Sequence, residues 1–418
     1  MSGISVDLPW GAWYRDESHR LQLPGHWSVD VLAPSGGSAC TPQQIKAAIA
    51  DPIDSPPLAE LAAGKTSACI VIDDLSRPTR AALILPTLLE QLHKAGITRS
   101  EISIVMATGS HGCVAAAEIA KKVGPDVAAD YHVECHDCRG DLAATGIAYG
   151  DRELRVNRTF YDADIKLGIS SILPHSFAGF SGGAKLVLPG LTDVEATARS
   201  HKFVQLGLRG GADPDHNKFR QEAEDLARTL GMRFVVCVVS NQDRNPIGIF
   251  AGDIVAAHRA ACRAAEEVFA TELRRDYDCL ILNAFPKDND LIQAENVFIA
   301  LKTAQAPVVR DNGVIVVTTA ASEGVGQHGL FEPGGLSYRP PQPKRFLKNR
   351  ELWLYAPGVS TQSARALYWE GYPVFHRPEE LTTALGRRFP QPVHCGVLPC
   401  APMQQVADNR GATMGVAV

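Results

Sequence analysis

The sequence predicts an α/β protein: two α/β domains with mainly parallel sheets and a functional cleft between them. Three observations carry that expectation. Apolar runs without polar alternation, such as Ala68-Cys-Ile-Val-Ile-Asp73, suit strands buried on both faces. Helical patterns alternate with those runs, as in βαβ units. Finally, 418 residues exceed what one hydrophobic core usually serves. The expected division places an N-terminal domain at 1–275 and a C-terminal domain at 276–418, whose last residues could pack back on the first.

Taken in order, residues 1–60 give a short strand-bearing start and a loop rich in Pro, Gly and Ser. A helix is expected after Thr41-Pro42, which supply an N-cap and an N1 proline. The strand Ala68–Asp73 ends in the polar turn Asp73-Asp74-Leu-Ser-Arg77-Pro78-Thr79. Leu83, Leu85, Leu88, Leu89 and Leu92 mark one helix over 82–96, stopped by Gly96. Ile102–Met106 is a second strand, running into Ala107-Thr-Gly-Ser-His111-Gly112 and a helix near 114–123. Asp164–Ile169 is a third, opening into a glycine-rich loop that reaches Gly190. Residues 191–230 read as helical and polar, Met232–Val239 as a strand, and 253–275 as an alanine-rich helix. Asp276-Tyr-Asp278 is the expected link between domains. Further strands are expected at Cys279–Asn283, Val314–Thr318, Leu352–Tyr355 and Val393–Leu398.

Composition narrows the classes of partner. The net charge of −5, without a lysine or arginine run, argues against nucleic acid or an anionic membrane surface. No stretch approaches eighteen uninterrupted apolar residues, so no membrane span is expected. The start has no basic segment followed by an apolar run, so no signal peptide is expected. Ten scattered cysteines include one C-x-x-C, Cys135 and Cys138, and no second pair to complete a zinc site. Reduced thiols in a cytoplasmic protein are expected.

Three strand ends thus deliver polar or glycine-rich turns, and in open α/β sheets ligands bind outside the carboxyl ends of strands. Arg77 could clamp a carboxylate through its guanidinium fork, or pair with Asp73 or Asp74. His111 and His175 occupy equivalent places on two of these turns, and imidazoles suit proton transfer near neutrality. Ser181-Gly182-Gly183-Ala184-Lys185 could cradle a phosphate with backbone N–H groups, although Leu186 stands where a P-loop hydroxyl belongs. Lys185, in an apolar loop, could be a desolvated nucleophilic amine. His201 has no His-x-x-x-His or cysteine partner, so as a metal ligand it would depend on donors from elsewhere.

These elements together resemble the lactate racemase family. The resemblance rests on D-x-x-R-P-T at Asp74–Thr79, A-T-G-x-H at Ala107–His111, P-H-x-x-A-G-F-S-G-G-x-K at Pro174–Lys185, and His201. It is close over residues about 70–205 and looser through Pro286-Lys287-Asp288, Gln293 and Glu323-Gly-Val-Gly326. It implies a cytoplasmic isomerase that inverts C2 of a 2-hydroxy acid, with residues 1–275 as the catalytic and cofactor-binding domain. The implied cofactor is the nickel-pincer nucleotide (pyridinium-3-thioamide-5-thiocarboxylic acid mononucleotide nickel), tethered to Lys185. His201 would complete a planar Ni(II) set. Asp74, Ser181, Gly182 and Gly183 would lie against the cofactor, and Arg77, Gln293 and Asn296 against the substrate. His111 and His175 would be the catalytic acid–base pair, with hydride exchanged between Cα and the cofactor.

Partners implied are a small 2-hydroxy acid and, transiently, the cofactor-synthesis proteins. One departure stands out: the family's tyrosine–glutamine pair and following lysine are replaced by Ile292-Gln293-Ala-Glu-Asn296. That points away from lactate and toward a longer or polyhydroxylated acid. The alternatives are net alcohol oxidation on the same cofactor, or a non-catalytic carrier of the nucleotide.

Overall fold

The computed structural model describes residues 3–11, 17–206, 210–211, 213–304 and 306–406. Two six-stranded sheets organise it. The first runs in the order Pro246–Gly252, Met232–Ser240, Ile165–Ser171, Ala68–Asp73, Ile102–Ala107, His132–Cys135. Only its Met232–Ser240 and Pro246–Gly252 pair is antiparallel. Every residue of Ala68–Asp73 is buried, and the strand serves two cores. Cys69 and Val71 face one with Leu186 and Val187, whereas Ile70 and Ile72 face the other with Leu88 and Leu92. That period of two explains why the run is apolar throughout.

The expected helix after Thr41 spans Pro42–Ala50 and carries a full capping box, the Thr41 hydroxyl accepting from the Gln44 N–H while the Gln44 side chain accepts from the Thr41 N–H. The single helix expected over 82–96 is instead a 3₁₀ turn, Ala81–Leu83, followed by Leu85–Lys94. Pro86 lacks the N–H a continuous helix would need and sits in the new first turn. The helical stretch expected over 191–230 also breaks, into Val194–His201 and Lys218–Thr229 with short 3₁₀ turns between. Asp213 and Asn217 each cap a new start, and Pro214 interrupts the ladder. Residues 207–209 and 212 of that stretch lie outside the described residues.

The second sheet runs Val374–Phe375, Glu351–Tyr355, Val309–Thr318, Tyr277–Asn283, His394–Leu398, Ser28–Val31, all parallel. Two expectations need correction here. Tyr277 and Asp278 are not a linker but the start of a central strand, with Tyr277 buried. Residues near the start of the chain do not belong with 42–275. Ser28–Val31 extends the second sheet, and the hairpin Ile4–Trp10 with Glu17–Leu23 packs Leu8 and Leu21 against its core. The four-residue Ser28–Val31 is half-exposed and gives no apolar periodicity to read. At the other end, Gln405–Val406 pairs with Ala270–Thr271. Among the described residues no helix is long and apolar enough to cross a membrane.

In the first sheet the chain winds from Ala68–Asp73 outward through Ile102–Ala107 to His132–Cys135, then returns to the opposite side at Ile165–Ser171. The gap above Ala68–Asp73 and Ile165–Ser171 is therefore the topological switch point, where a parallel sheet leaves room for a ligand.

Candidate active site

A cavity of about 400 Å³ opens at that switch point. Its walls come from the loops after Asp73, Ala107 and Ser171 in the first sheet and after Asn283 in the second. The first loop is held from beneath by Lys122, which is fully buried. Its ammonium pairs with Asp73 Oδ1 at 2.8 Å and donates to the carbonyls of Asp74 (2.9 Å) and Arg77 (3.1 Å). Asp73 Oδ2 also accepts from Thr79 Oγ1 at 2.6 Å and from the Ser171 N–H at 2.8 Å, tying the first loop to the third. Arg77 donates to the Ser76 hydroxyl (2.7 Å), which donates to Asp74 Oδ1 (2.6 Å). The direct pair of Arg77 with Asp73 or Asp74 that the sequence left open is thus replaced by Lys122 and a bridging serine.

His111 stands on the second loop, pinned by Gly109 N–H to Gly190 O at 3.0 Å and by Thr108 Oγ1 to His136 O at 2.5 Å. Its Nδ1–H donates to Asp74 Oδ2 at 2.5 Å. Burial pushes the Asp74 carboxyl up, but His111 and Arg77 outweigh it and hold the group well below the usual carboxylate range. Gln293 Nε2 lies 3.3 Å from His111 Nε2. A residue not singled out in the sequence, His328, packs edge-on against His111 with ring centres 4.5 Å apart.

His175 packs edge-on against Phe177, 4.7 Å between centres. Burial, then the charges of Lys185, Lys287 and Arg77, hold its imidazole well below the ordinary histidine value, in the neutral form. Lys185 lines the same cavity, its Nζ 5.3 Å from the Phe177 ring centre and 4.8 Å from that of Phe219. Burial, reinforced by Arg220 and Arg77, pulls its pKa well below that of a free lysine, favouring the nucleophilic amine. Fully buried Arg220 donates to the carbonyls of Phe180 and Gly182 (2.8 Å for the latter), shaping the loop that presents Lys185.

The other residues expected in that loop divide. Gly182 lines the cavity. Ser181 also lines it, but its hydroxyl is spent internally, donating to Ser171 O at 2.8 Å and accepting from the Leu173 N–H at 2.9 Å. Gly183 is a correction: it stands behind the wall, its N–H donating to Ser170 Oγ at 3.0 Å. A side chain there would meet His258 at 2.8 Å.

Gln293 and Asn296 reach the cavity from the second sheet, together with Lys287. Lys287 was quoted within a motif but not taken as a site residue. Its signal was positional, since it follows a strand end as Asp74 and His111 do. Lys287 is 1% exposed, and among the described residues its Nζ meets a neutral partner, Asn296 Oδ1, at 3.2 Å. With Asp74 engaged by His111, the Arg77 guanidinium suits the cavity to an anionic group, and the Lys185 and Lys287 side chains add hydrogen-bond donors beside it.

His201 ends the helix Val194–His201, and its Nδ1–H donates to Thr197 O at 2.8 Å. That leaves Nε2 as the free donor atom. Burial lowers its pKa to about 4, so the lone pair is available at neutral pH. Among the described residues no group of three or more His, Cys, Asp or Glu could hold a metal ion. A metal on His201 would therefore need its other ligands from a bound organic group, which suits a cofactor that carries its own donors.

Residues 14–208 match the family model of the lactate racemase N-terminal domain. This stretch is similar to the N-terminal domain of lactate racemases. Most of the chain is similar to curated lactate racemases. That of Lactiplantibacillus plantarum is 28% identical over 341 residues, covering 78% of this chain and 77% of the relative. That of Thermoanaerobacterium thermosaccharolyticum is 27% identical over 337 residues, with the same coverage of each chain. In fold, the chain matches the lactate racemase apoprotein of Thermoanaerobacterium thermosaccharolyticum with a TM-score of 0.75, at 22% identity over 96% of this chain and 100% of the other. A protein from Thermotoga maritima matches with a TM-score of 0.65, at 17% identity over 88% and 99%. The expected α/β class with mainly parallel sheets holds, and the chain is a racemase homologue.

Proposed function

We propose that this protein is a cytoplasmic racemase or epimerase that inverts C2 of a 2-hydroxy acid other than lactate, using a nickel-pincer nucleotide. The observation that carries the proposal is one cavity that gathers Arg77, His111 and the pair His175 and Lys185 from three strand-end loops. Lys185 would be the tether, since its buried amine, with a lowered pKa, is the nucleophile a covalent link to the nucleotide needs. His201 Nε2 is the protein's ligand to nickel, and the residue types present fit a group that brings its remaining donors with it. When bound, the cofactor supplies a reversible hydride acceptor, chemistry that no side chain offers.

The remaining work belongs to the chain. Arg77 binds and orients the substrate carboxylate through its guanidinium fork. His111, with Nδ1–H committed to Asp74, presents Nε2 to the substrate hydroxyl and takes its proton. His175, neutral and on a different loop, performs the same service for the opposite stereoisomer. Apolar walls at Phe177, Ile292 and Phe331 exclude water while the carbon is planar.

Protein made alongside the cofactor-synthesis proteins should show a covalent adduct by intact mass, absent in Lys185→Ala. His201→Ala should lose nickel, whereas His111→Ala and His175→Ala should keep it and lose turnover. Substrate deuterated at C2 should yield inverted product that retains deuterium. Washout into solvent, or an adduct persisting in Lys185→Ala, would overturn the proposal.

A further inference from the structure

Five side chains from both sheets form one hydrogen-bonded line through the cavity wall: Lys287, Asn296, Gln293, His111 and Asp74. The direction of each bond follows from chemistry. The Asn296 Nδ2 amide donates to the backbone carbonyl of Gln293 at 2.7 Å, and a carbonyl can only accept. Asn296 Oδ1 must then face Lys287, whose Nζ donates to it at 3.2 Å. The second Nδ2 hydrogen is left for Gln293 Oε1, 3.4 Å away. With its oxygen turned to Asn296, Gln293 can offer His111 only its Nε2 amide, at 3.3 Å. An amide donor must meet a lone pair, so His111 Nε2 is unprotonated and its one proton resides on Nδ1, facing Asp74 at 2.5 Å.

We infer that Asn296, anchored by Lys287, acts through Gln293 to fix His111 in the tautomer that can accept a proton from substrate. Lys287 and Asn296 are positioning residues, and touching the substrate is no part of this role. The line is polarised from one end by a buried donor and from the other by a carboxylate, so a reversal anywhere leaves a buried polar atom unpaired. It also gives a physical content to the departure at position 296. A lysine there has no acceptor for Lys287, so the line depends on the asparagine amide, which donates and accepts at once.

The role rests on His111 being a base, as proposed above, but the hydrogen-bond assignment can be tested without turnover. The measurement is 15N NMR of histidine-labelled, cofactor-free protein at mildly alkaline pH, where shifts of the two ring nitrogens report the tautomer. His111→Asn identifies the signal. Wild type should show His111 with Nδ1 protonated and Nε2 bare. Asn296→Leu keeps the side-chain size and removes both ends of the relay, so the Nε2–H form should rise to a substantial fraction. Lys287→Met should move the population in the same direction by less, and replacing a buried ammonium with a thioether should not hinder folding. Gln293→Glu puts an acceptor against Nε2 and should protonate it.

In the loaded enzyme, Asn296→Leu should lower kcat by about 10-fold to 100-fold, within the range a general base contributes, with little change in KM. A wild-type spectrum showing Nε2–H, or Asn296→Leu with an unaltered tautomer, would overturn the inference. A tautomer that shifts as expected while kcat stays constant would support the relay and refute the base role of His111.

Discussion

Removing the ammonium of Lys122, which lies outside the cavity lining, should loosen the floor that it holds from beneath. Lys122→Met deletes a charge with no solvent exposure and strands three acceptors: Asp73 Oδ1 and the carbonyls of Asp74 and Arg77. Removing one partner of a buried ion pair costs about 3–5 kcal/mol, because the remaining charge is left uncompensated. Asp73 softens that loss, since its Oδ2 keeps Thr79 and Ser171 as donors. The methionine chain refills most of the aliphatic space. A net loss of about 3 kcal/mol is therefore expected, read by equilibrium urea unfolding of the first-sheet unit. The same variant should raise KM, because Arg77 loses the anchor on its own carbonyl. A stability loss under about 1 kcal/mol, or an unchanged KM, would refute the view that Lys122 sets the carboxylate-binding turn.

Two further outcomes follow from other parts of the fold. Burial pushes the Asp288 carboxyl up to about 7, against the opposing pull of the Gly11 N–H bond and of Arg244. The folded protein therefore holds this proton more tightly than the unfolded chain. The resulting stability is complete below the ordinary carboxylate range and is lost as pH rises through about 7. Asp288→Asn keeps an acceptor for the Gly11 N–H, bonded at 2.7 Å, and should be more stable than wild type at alkaline pH by up to about 4 kcal/mol, the difference closing in acid. Denaturation profiles against pH check this. Gly183 has φ +59 and would place a Cβ 2.8 Å from His258, so Gly183→Ala should lower stability by roughly 2–4 kcal/mol in thermal unfolding.

Strands that serve two cores were legible because burial on both faces leaves an uninterrupted apolar run, as at Ala68–Asp73 and Ile165–Ser171. The residues at their carboxyl ends were legible for the same reason, being polar where the run stops. Ser28–Val31 was not legible: it is short, half-exposed, and defined by a partner near the far end of the chain. His328 sits in a loop with no periodicity, and only the fold shows it edge-on to His111. Lys287 looked like one lysine among many until its burial against a neutral amide appeared. Gly183 was legible as a necessary glycine, but its side of the wall was not, because that depends on His258 from a distant helix.

The pairing of Ser28–Val31 with His394–Leu398 has a consequence for synthesis on the ribosome. The strands of the first sheet, from Ala68–Asp73 to Pro246–Gly252, leave the tunnel in one block and can close on themselves. The second sheet cannot finish in that order, because its edge strand Ser28–Val31 is made before the strands of the first sheet and that strand's neighbour, His394–Leu398, after them. Until His394–Leu398 emerges, the core under the early hairpin with Leu8 and Leu21 lacks Cys395 and Val397, and a growing parallel sheet carries an unprotected flank. The second unit thus matures only once His394–Leu398 has emerged, and the cavity wall that bears Lys287, Gln293 and Asn296 matures with it.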